Sequence, residues 1–349
     1  MKRRLTGVAV VVLVLGLLGV AWVVHDLYHP YRGLTGNVML EIAPGTPAPA
    51  IAGLLVARGV LAHKSPFLIR YWMGRGHNRL KAGEYLFDRP LSPLDVYRKL
   101  IRGDVYLYPV VVPEGSDRFD IAHILTERLA IAPEDFLRIT EQASLVRDLD
   151  PHAPSLEGYL FPDTYRFPKH TGAATVVATM LARFRHILQA RFHDEMAADP
   201  GNLHQVVTLA SLVEKETPEP AERPLVAGVF TRRLTEGMLL QCDPTVVYAA
   251  RIAHRPIGKI TTKDLNFDSP FNTYRHAGLP LGPIASPGEA SLRAAFHPAV
   301  GDALYFVSNN HGGHTFSQTL AEHQRNVARY RRESQVKGQK SHEQKAGHS

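Results

Sequence analysis

The chain has very little cysteine: among its 349 residues there is one, Cys242. A single thiol cannot form an intramolecular disulfide or a multi-thiolate metal site. The sequence also has neither a Gly-x-Ser-x-Gly nucleophile elbow nor a P-loop, so it gives no support to a serine hydrolase or a nucleotide hydrolase. No dense basic patch with interleaved aromatic residues occurs in the middle of the chain, and we therefore predict no nucleic-acid partner.

The remaining composition is that of an ordinary folded protein. Hydrophobic residues make up 45% of the chain and charged residues 21%, which argues against global disorder. The length allows two domains and a sizeable core. The formal net charge is +7, and much of the excess lies at the two ends of the chain. A modest positive charge suits an anionic substrate or a lipid surface.

A long apolar run stands near the N-terminus. Lys2, Arg3 and Arg4 precede residues 5–24, none of which is charged. About 20 apolar residues span a bilayer, and the run exceeds the ~7–15 residues of a typical signal-peptide core. A cleaved signal peptide is the alternative, but no Ala-x-Ala cleavage site follows. We predict a single transmembrane helix over residues 5–24, with residues 1–4 in the cytoplasm and the rest outside.

Beyond the apolar run, the pattern predicts an α+β fold. A polar linker over residues 25–36 leads to a small α+β module over residues 37–112, in which alternating apolar residues at 38–42 indicate a strand. A larger α+β domain follows over residues 113–332. Residues 333–349 are polar, rich in lysine and nearly free of large apolar groups, so we predict a disordered tail.

Glu214 lies at the end of an apolar run at positions 206–213, within a helix predicted over residues 203–216. A helix that is apolar on nearly all sides is buried, and burial raises the pKa of a carboxyl group. The C-terminal end of the helix dipole acts in the same direction. Glu214 is therefore a candidate general acid. The alternative is a structural salt bridge from Glu214 to Arg223 or Arg232.

Other polar residues supply further candidates. Glu216 points to a different helix face from Glu214, and could be a second carboxylate of the site or a surface charge. Gln241, Asn272 and Tyr274 lie in loop-rich stretches, where polar groups suit sugar hydroxyl and acetamido groups. Asp243 lies in the same stretches and also fits the role of a helix cap.

His311 and His314 share a glycine-rich loop. The pair offers two ligands where a metal site requires three or four, so a hydrogen-bonding loop that contacts a ligand is the favoured interpretation of His314. We predict neither a metal nor a cofactor.

Several segments, in order along the chain, resemble signatures of the bacterial endolytic murein transglycosylase family, the YceG-like proteins. They are residues 157–165, 210–217, 240–248, 269–274 and 278–288, followed by 305–307 with 313–316. The resemblance extends over about residues 1–332, and several ordered motifs are far more specific than one. The chain departs from the family pattern at Cys242, where a small polar residue is expected, and at His311, where variation is expected.

The resemblance implies a single-pass protein of the cell inner membrane with its catalytic domain in the periplasm. It implies a LysM-like first module and a YceG-like catalytic domain that cleaves nascent peptidoglycan glycan strands internally, which limits strand elongation. Peptidoglycan synthases become plausible neighbours. The catalytic glutamate of the family is placed on Glu214, and Glu216 is retained in the pattern. The residues assigned to substrate binding are Gln241, Asn272, Tyr274, His314 and Glu216.

In the implied reaction, Glu214 first donates and then accepts a proton, and the products carry 1,6-anhydro-N-acetylmuramic acid ends. Two alternatives stay open. The protein could be a membrane-anchored, non-catalytic peptidoglycan-binding adaptor, or a muramidase that hydrolyses the same bond. Glycan digestion distinguishes them, because the adaptor yields no products and the hydrolase yields reducing ends.

Overall fold

The computed structural model of the protein describes residues 2–74, 79–199, 201–255 and 257–346. The helices are α1 Lys2–Tyr28, α2 Ala48–Ala57, α3 Ser65–Met73, α4 Pro93–Arg102, α5 Arg118–Leu129, α6 Pro133–Thr140, α7 Ala173–Arg191, α8 His193–Ala198, α9 Leu203–Glu216, α10 Arg223–Thr235, α11 Asp243–Ile252, α12 Thr262–Leu265, α13 Glu289–Phe296 and α14 Leu320–Ala346, with a 3₁₀ turn at Ala143–Leu145. The strands are β1 Val38–Ile42, β2 Gly83–Phe87, β3 Leu107–Val111, β4 Thr164–Pro168, β5 Tyr305–Ser308 and β6 His314–Ser317. The mixture of helices and short strands agrees with the predicted α+β class.

The chain divides into two compact units. The first unit extends to residue 109 and includes residues 166–170, and the second contains residues 110–165 and those from 171 onward. The sequence-based boundary at residue 112 gave no sign that a short segment returns to the first unit. Such a return joins residues that are distant along the chain, which local sequence patterns cannot indicate. The domain bounds given above stay a prediction.

The first unit contains the N-terminal helix α1. Its apolar part, Gly7–Tyr28, is long enough to cross a membrane, has a mean hydropathy of 2.8 and is exposed over most of its length. This property is shared by membrane anchors and signal sequences. The helix continues four residues beyond the predicted end at Val24, into the stretch predicted as a linker. Leu27 explains the extension, because its side chain is buried in the core of the first unit.

A two-stranded sheet lies at the centre of the rest of the first unit. Strands β1 and β2 are antiparallel, with Val38 opposite Phe87 and Ile42 opposite Gly83. Their inward-facing side chains pack with α2, α3 and α4 in one hydrophobic core. Helix α4 has clear sequence-encoded ends, since the Ser92 hydroxyl accepts from the amide of Asp95 and Gly103 ends the helix at φ +75°.

The second unit is built around helix α9. Every residue from Val206 to Val213 is buried, and α9 packs against α10, α11 and α13. This burial is the arrangement predicted from a run that is apolar on nearly all sides. Strands β5 and β6 form an antiparallel pair, with Tyr305 opposite Ser317 and Ser308 opposite His314, and helix α14 packs on them.

The segment predicted as a disordered tail, residues 333–349, overlaps the last helix of the structure. Helix α14 continues from Leu320 to Ala346, while residues 347–349 lie outside the described residues. Low apolar content does not exclude a helix, because glutamate, glutamine, lysine and alanine all favour helical backbone. The start of the predicted tail is also fixed to the fold, since the Ser334 hydroxyl donates to Asn310 Oδ1 at 2.7 Å.

Candidate active site

A polar pocket of about 510 Å³ lies in the second unit. This volume falls within the range of about 300–1,000 Å³ that is usual for ligand sites. Its lining residues are Glu216, Phe230, Arg233, Leu240, Gln241, Asp243, Tyr274, Phe306, Val307, His323, Val327 and Arg331. The end of α9 therefore meets α10, β5, α14 and the loop before α11 at one place.

Glu216 is the last residue of α9, and it brings a carboxyl group to this pocket. Burial raises its pKa, and the charge of Asp243 acts in the same direction. A hydrogen bond from the Cys242 thiol and the charges of His314 and Arg233 oppose the increase. Taken together, these effects raise the pKa of Glu216, so its carboxyl group keeps its proton at a higher pH than an ordinary glutamate does, as a general acid must.

Glu214 has a different environment. Its Oε1 accepts a hydrogen bond from Arg223 Nη2 at 2.9 Å, and its Oε2 accepts one from the Gly288 amide at 2.9 Å. The Glu214 and Arg223 side chains are 5% and 7% exposed. Burial raises the pKa of Glu214, and the Gly288 amide and Arg223 oppose the increase. The ion pair with Arg223, one of the two alternatives left open by the sequence, is present, and Glu214 does not line the described pocket.

Gln241 and Tyr274 lie in the pocket, as the sequence predicted for substrate-binding residues. Gln241 has a φ of +51°, an uncommon value for a residue with a side chain, and its amide donates to the Thr273 carbonyl at 3.2 Å. The Tyr274 hydroxyl donates to Asp243 Oδ1 at 2.6 Å. Asp243 is thus a pocket residue as well as the first residue of α11, and the preceding Cys242 takes the N-cap position.

Asn272 does not line the pocket. Its side chain is buried and donates to the carbonyls of Leu265 at 3.0 Å and Phe267 at 2.7 Å. Its Oδ1 accepts from the Tyr274 amide at 2.9 Å. The structure therefore gives Asn272 the task of fixing the loop that carries Tyr274, and places it behind the pocket wall.

His314 also lies outside the pocket lining. Its Nδ1 is 2.7 Å from Glu222 Oε2, and its amide donates to Glu222 Oε1 at 2.7 Å. Glu222 comes directly before α10, so the pair connects β6 to that helix. His311 is exposed. Among the residues that the structure describes, no group of three or more histidine, cysteine, aspartate or glutamate side chains could hold a metal ion.

Sequence reasoning missed three charged or titratable pocket residues: Arg233, His323 and Arg331. Arg233 is buried and donates to the carbonyls of Leu304 at 2.7 Å and Leu240 at 2.8 Å. His323 and Arg331 are eight residues apart on α14, with Val327 between them, and this spacing places all three on one helix face. The spacing of these three residues was visible in the sequence, but no sequence feature indicated that this face of α14 lines a pocket.

The α+β fold and the carboxyl group in a polar pocket are the features of an enzyme domain, and comparison with known proteins identifies its family. The YceG-like family model matches residues 40–329. A crystal structure of a YceG-like protein from Listeria monocytogenes, solved at 2.6 Å, has 32% sequence identity and a TM-score of 0.57. That match covers 83% of this chain and 98% of the other. The chain belongs to the YceG-like family.

Two relatives are similar over most of this chain. The endolytic murein transglycosylase of Bacillus subtilis is 31% identical over 310 residues, which is 84% of this chain and 85% of the relative. The endolytic murein transglycosylase of Streptococcus pneumoniae is 27% identical over 344 residues, covering 90% of this chain and 62% of that longer protein. The predicted family membership is confirmed.

Proposed function

We propose that this protein is an endolytic peptidoglycan lytic transglycosylase, an enzyme that cleaves the bond between N-acetylmuramic acid and N-acetylglucosamine within glycan strands. Two curated relatives with this activity in their names, at 31% and 27% identity, support the assignment. The observation that carries it is the Glu216 carboxyl group, with a pKa raised by burial, in a polar pocket large enough for a ligand.

We further propose Glu216, in place of Glu214, as the proton donor. Of the two carboxyl groups, only Glu216 lines the described pocket. Burial raises the pKa of both residues, but both oxygens of Glu214 already accept hydrogen bonds, one from the Arg223 guanidinium and one from the Gly288 amide. A general acid must reach the proton acceptor in the substrate, and geometry takes precedence over pKa in selecting it. The assignment of Glu214 was a prediction that the comparisons leave untested.

In the proposed reaction, protonated Glu216 donates its proton to the glycosidic oxygen as the bond from that oxygen to C1 of the muramic acid breaks. The Glu216 carboxylate then accepts the proton of the C6 hydroxyl group. The C6 oxygen forms a bond to C1 and closes the 1,6-anhydro ring, which restores protonated Glu216. One carboxyl group serves as acid and then base, whereas the glycoside hydrolases usually require a second carboxylate.

The other pocket residues fit a sugar substrate. Gln241 and the Tyr274–Asp243 pair offer amide and hydroxyl groups to an uncharged polar ligand. Phe306 adds an aromatic surface. Aromatic and polar groups arranged together are typical of ligand pockets, in which a few polar groups fix the orientation of the ligand. Asn272 and His314 contribute indirectly, through the loop and the strand that they hold.

We propose that helix α1 anchors the protein in the cell inner membrane, with the rest of the first unit and the whole second unit in the periplasm. The basic residues before the apolar run and its length support this topology. The first unit, with its two-stranded sheet and three packed helices, is a candidate LysM-like module for gripping the glycan. Peptidoglycan synthases are proposed partners, because they would supply nascent strands.

Product analysis of the full chain in detergent tests the proposed function. Purified glycan strands are digested and the products are identified by mass spectrometry. We expect internal cleavage with 1,6-anhydro-N-acetylmuramic acid ends. Reducing ends would favour the muramidase alternative. Retention of the protein on glycan with no products would favour the adaptor.

Cys242→Ala is expected to shift the high-pH limb of the activity profile to higher pH. The Cys242 thiol holds the pKa of Glu216 down against burial, so its removal raises that pKa and the carboxyl group stays protonated at higher pH. The pH dependence of kcat/KM on glycan strands measures the shift. Cys242→Ser is the matched control, because its hydroxyl group can still donate and should leave the profile close to wild type. A downward shift in the alanine variant would contradict the prediction.

A further inference from the structure

Helix α14 forms one wall of the proposed active-site pocket. It contributes His323, Val327 and Arg331 at intervals of four residues. Since an α-helix rises 1.5 Å per residue, Cα atoms of His323 and Arg331 lie about 12 Å apart along the helix axis. The part of α14 that lines the pocket therefore extends well beyond the immediate contacts of Glu216, and it carries a cationic side chain, Arg331, at one end.

Arg331 is a cationic residue of this wall whose charge is not paired within the part of the chain that the structure describes. Among the described residues, its guanidinium has no ion pair and no hydrogen bond to another side chain, and the residue is exposed. Arg233, by contrast, directs its N–H groups to the carbonyls of Leu304 and Leu240. Burial and the charge of Arg233 lower the pKa of His323, which keeps its ring neutral near pH 7.

The charge of Arg331 has no counterpart on the sugars of the proposed substrate. N-acetylglucosamine is uncharged, and in murein the lactyl carboxyl group of N-acetylmuramic acid is consumed in the amide bond to the peptide stem. The anionic groups attached to the glycan are then the carboxylates of that stem. A carboxylate near the pocket would also face Asp243, and a cation at the wall would offset that repulsion.

We propose that Arg331 binds a carboxylate of the peptide stem and makes the enzyme prefer peptide-bearing glycan over stripped glycan. Arginine is suited to this task, because its planar group donates two parallel hydrogen bonds to a carboxylate. The inference rests on the proposed function, since it assumes that the pocket binds murein. It assigns to α14 a role in substrate choice beyond closing the pocket.

The test compares two soluble substrates: peptide-bearing strands from muramidase-fragmented sacculi, and the same strands after an amidase has removed the stems. For the full-length wild type and Arg331→Gln, kcat/KM is measured on each by product mass spectrometry. We expect the ratio of peptide-bearing to stripped substrate to fall about tenfold in the variant, equivalent to ~1.4 kcal/mol and close to the value of one charged hydrogen bond. Arg331→Lys should recover part of the ratio.

Arg329→Gln is the matched control. Arg329 is an exposed arginine on the same helix, two residues away, and it does not line the pocket. Its replacement removes the same charge and should leave the ratio at the wild-type value. An unchanged ratio in Arg331→Gln, or an equal fall in Arg329→Gln, would overturn the proposal. A wild type that cleaves neither substrate would instead count against the proposed function, so the two failures are distinguishable.

Discussion

Glu216→Gln is expected to reduce the rate of glycan cleavage by about 10²–10⁴ or more, the usual contribution of a positioned acid or base. Glutamine keeps the size of the side chain but cannot donate the proton to the glycosidic oxygen or accept one from the C6 hydroxyl group. Both halves of the proposed reaction fail together, because one carboxyl group serves both. The measurement is the initial rate of formation of anhydro ends on purified strands, followed by mass spectrometry.

Glu214→Gln is the informative partner of that variant. The Glu214 carboxylate is held by Arg223 and by the Gly288 amide, and a glutamine carbonyl can still accept one of these hydrogen bonds. We expect the variant to keep far more activity than Glu216→Gln. The opposite order, with full activity in Glu216→Gln and none in Glu214→Gln, would return the role of proton donor to Glu214. Circular dichroism of both variants checks that each one is folded.

Sequence reasoning predicted helix α9 well, but it could not choose between its two glutamates. The apolar run at positions 206–213 predicted the burial of the helix, and Pro218 predicted its end at Glu216; the structure has both. Two residues along a helix correspond to a rotation of about 200°. Which side chain meets a cation and which meets a cavity depends on α10, β5 and α14, and these elements are distant in the sequence.

The polar motifs gave a similar result. Gln241 and Tyr274 lie in the pocket, whereas Asn272 and His314 hold its wall from behind through hydrogen bonds. All four side chains can bind sugar hydroxyl groups, so residue type could not separate the two pairs. Arg331 was missed for the converse reason: it lies in a mostly polar helix whose pocket-facing side became visible only with β5 and β6 in place.

Arg223→Met is expected to have the largest effect on stability. Both side chains of the Arg223–Glu214 pair are buried, and removal of one partner leaves a buried charge uncompensated. Such a loss typically costs ~3–5 kcal/mol. Hydrogen exchange measured by mass spectrometry on peptides from α9 and α10 reports this change within the second unit. Tryptophan fluorescence would not report it, because both tryptophans, Trp22 and Trp72, lie in the first unit.

The deficit in stability should depend on pH with a definite sign. Burial raises the pKa of Glu214 and Arg223 opposes that increase, so the pKa rises further when Arg223 is replaced. A carboxyl group whose pKa is raised by folding contributes stability at low pH and loses it as the pH rises through the folded-state pKa. The variant should therefore be closer to wild type at pH 5 than at pH 8. A deficit that is larger at pH 5 would contradict the assignment of the effect to Glu214.

Two further variants separate the buried pair from general charge effects. Glu214→Leu combined with Arg223→Met removes both charges, and we expect it to recover much of the lost stability, because a buried ion pair replaced by apolar side chains is often neutral or better. Arg232→Met removes a half-buried arginine of the same helix, which pairs with Glu236 and Asp302 near the surface, and should change hydrogen exchange far less. If Arg232→Met lowered the stability as much as Arg223→Met, burial of the ion pair would not be the cause of the loss.

The double variant Glu214→Leu with Arg223→Met should also cleave glycan strands much faster than Glu216→Gln, because the proposed proton donor remains in the pocket.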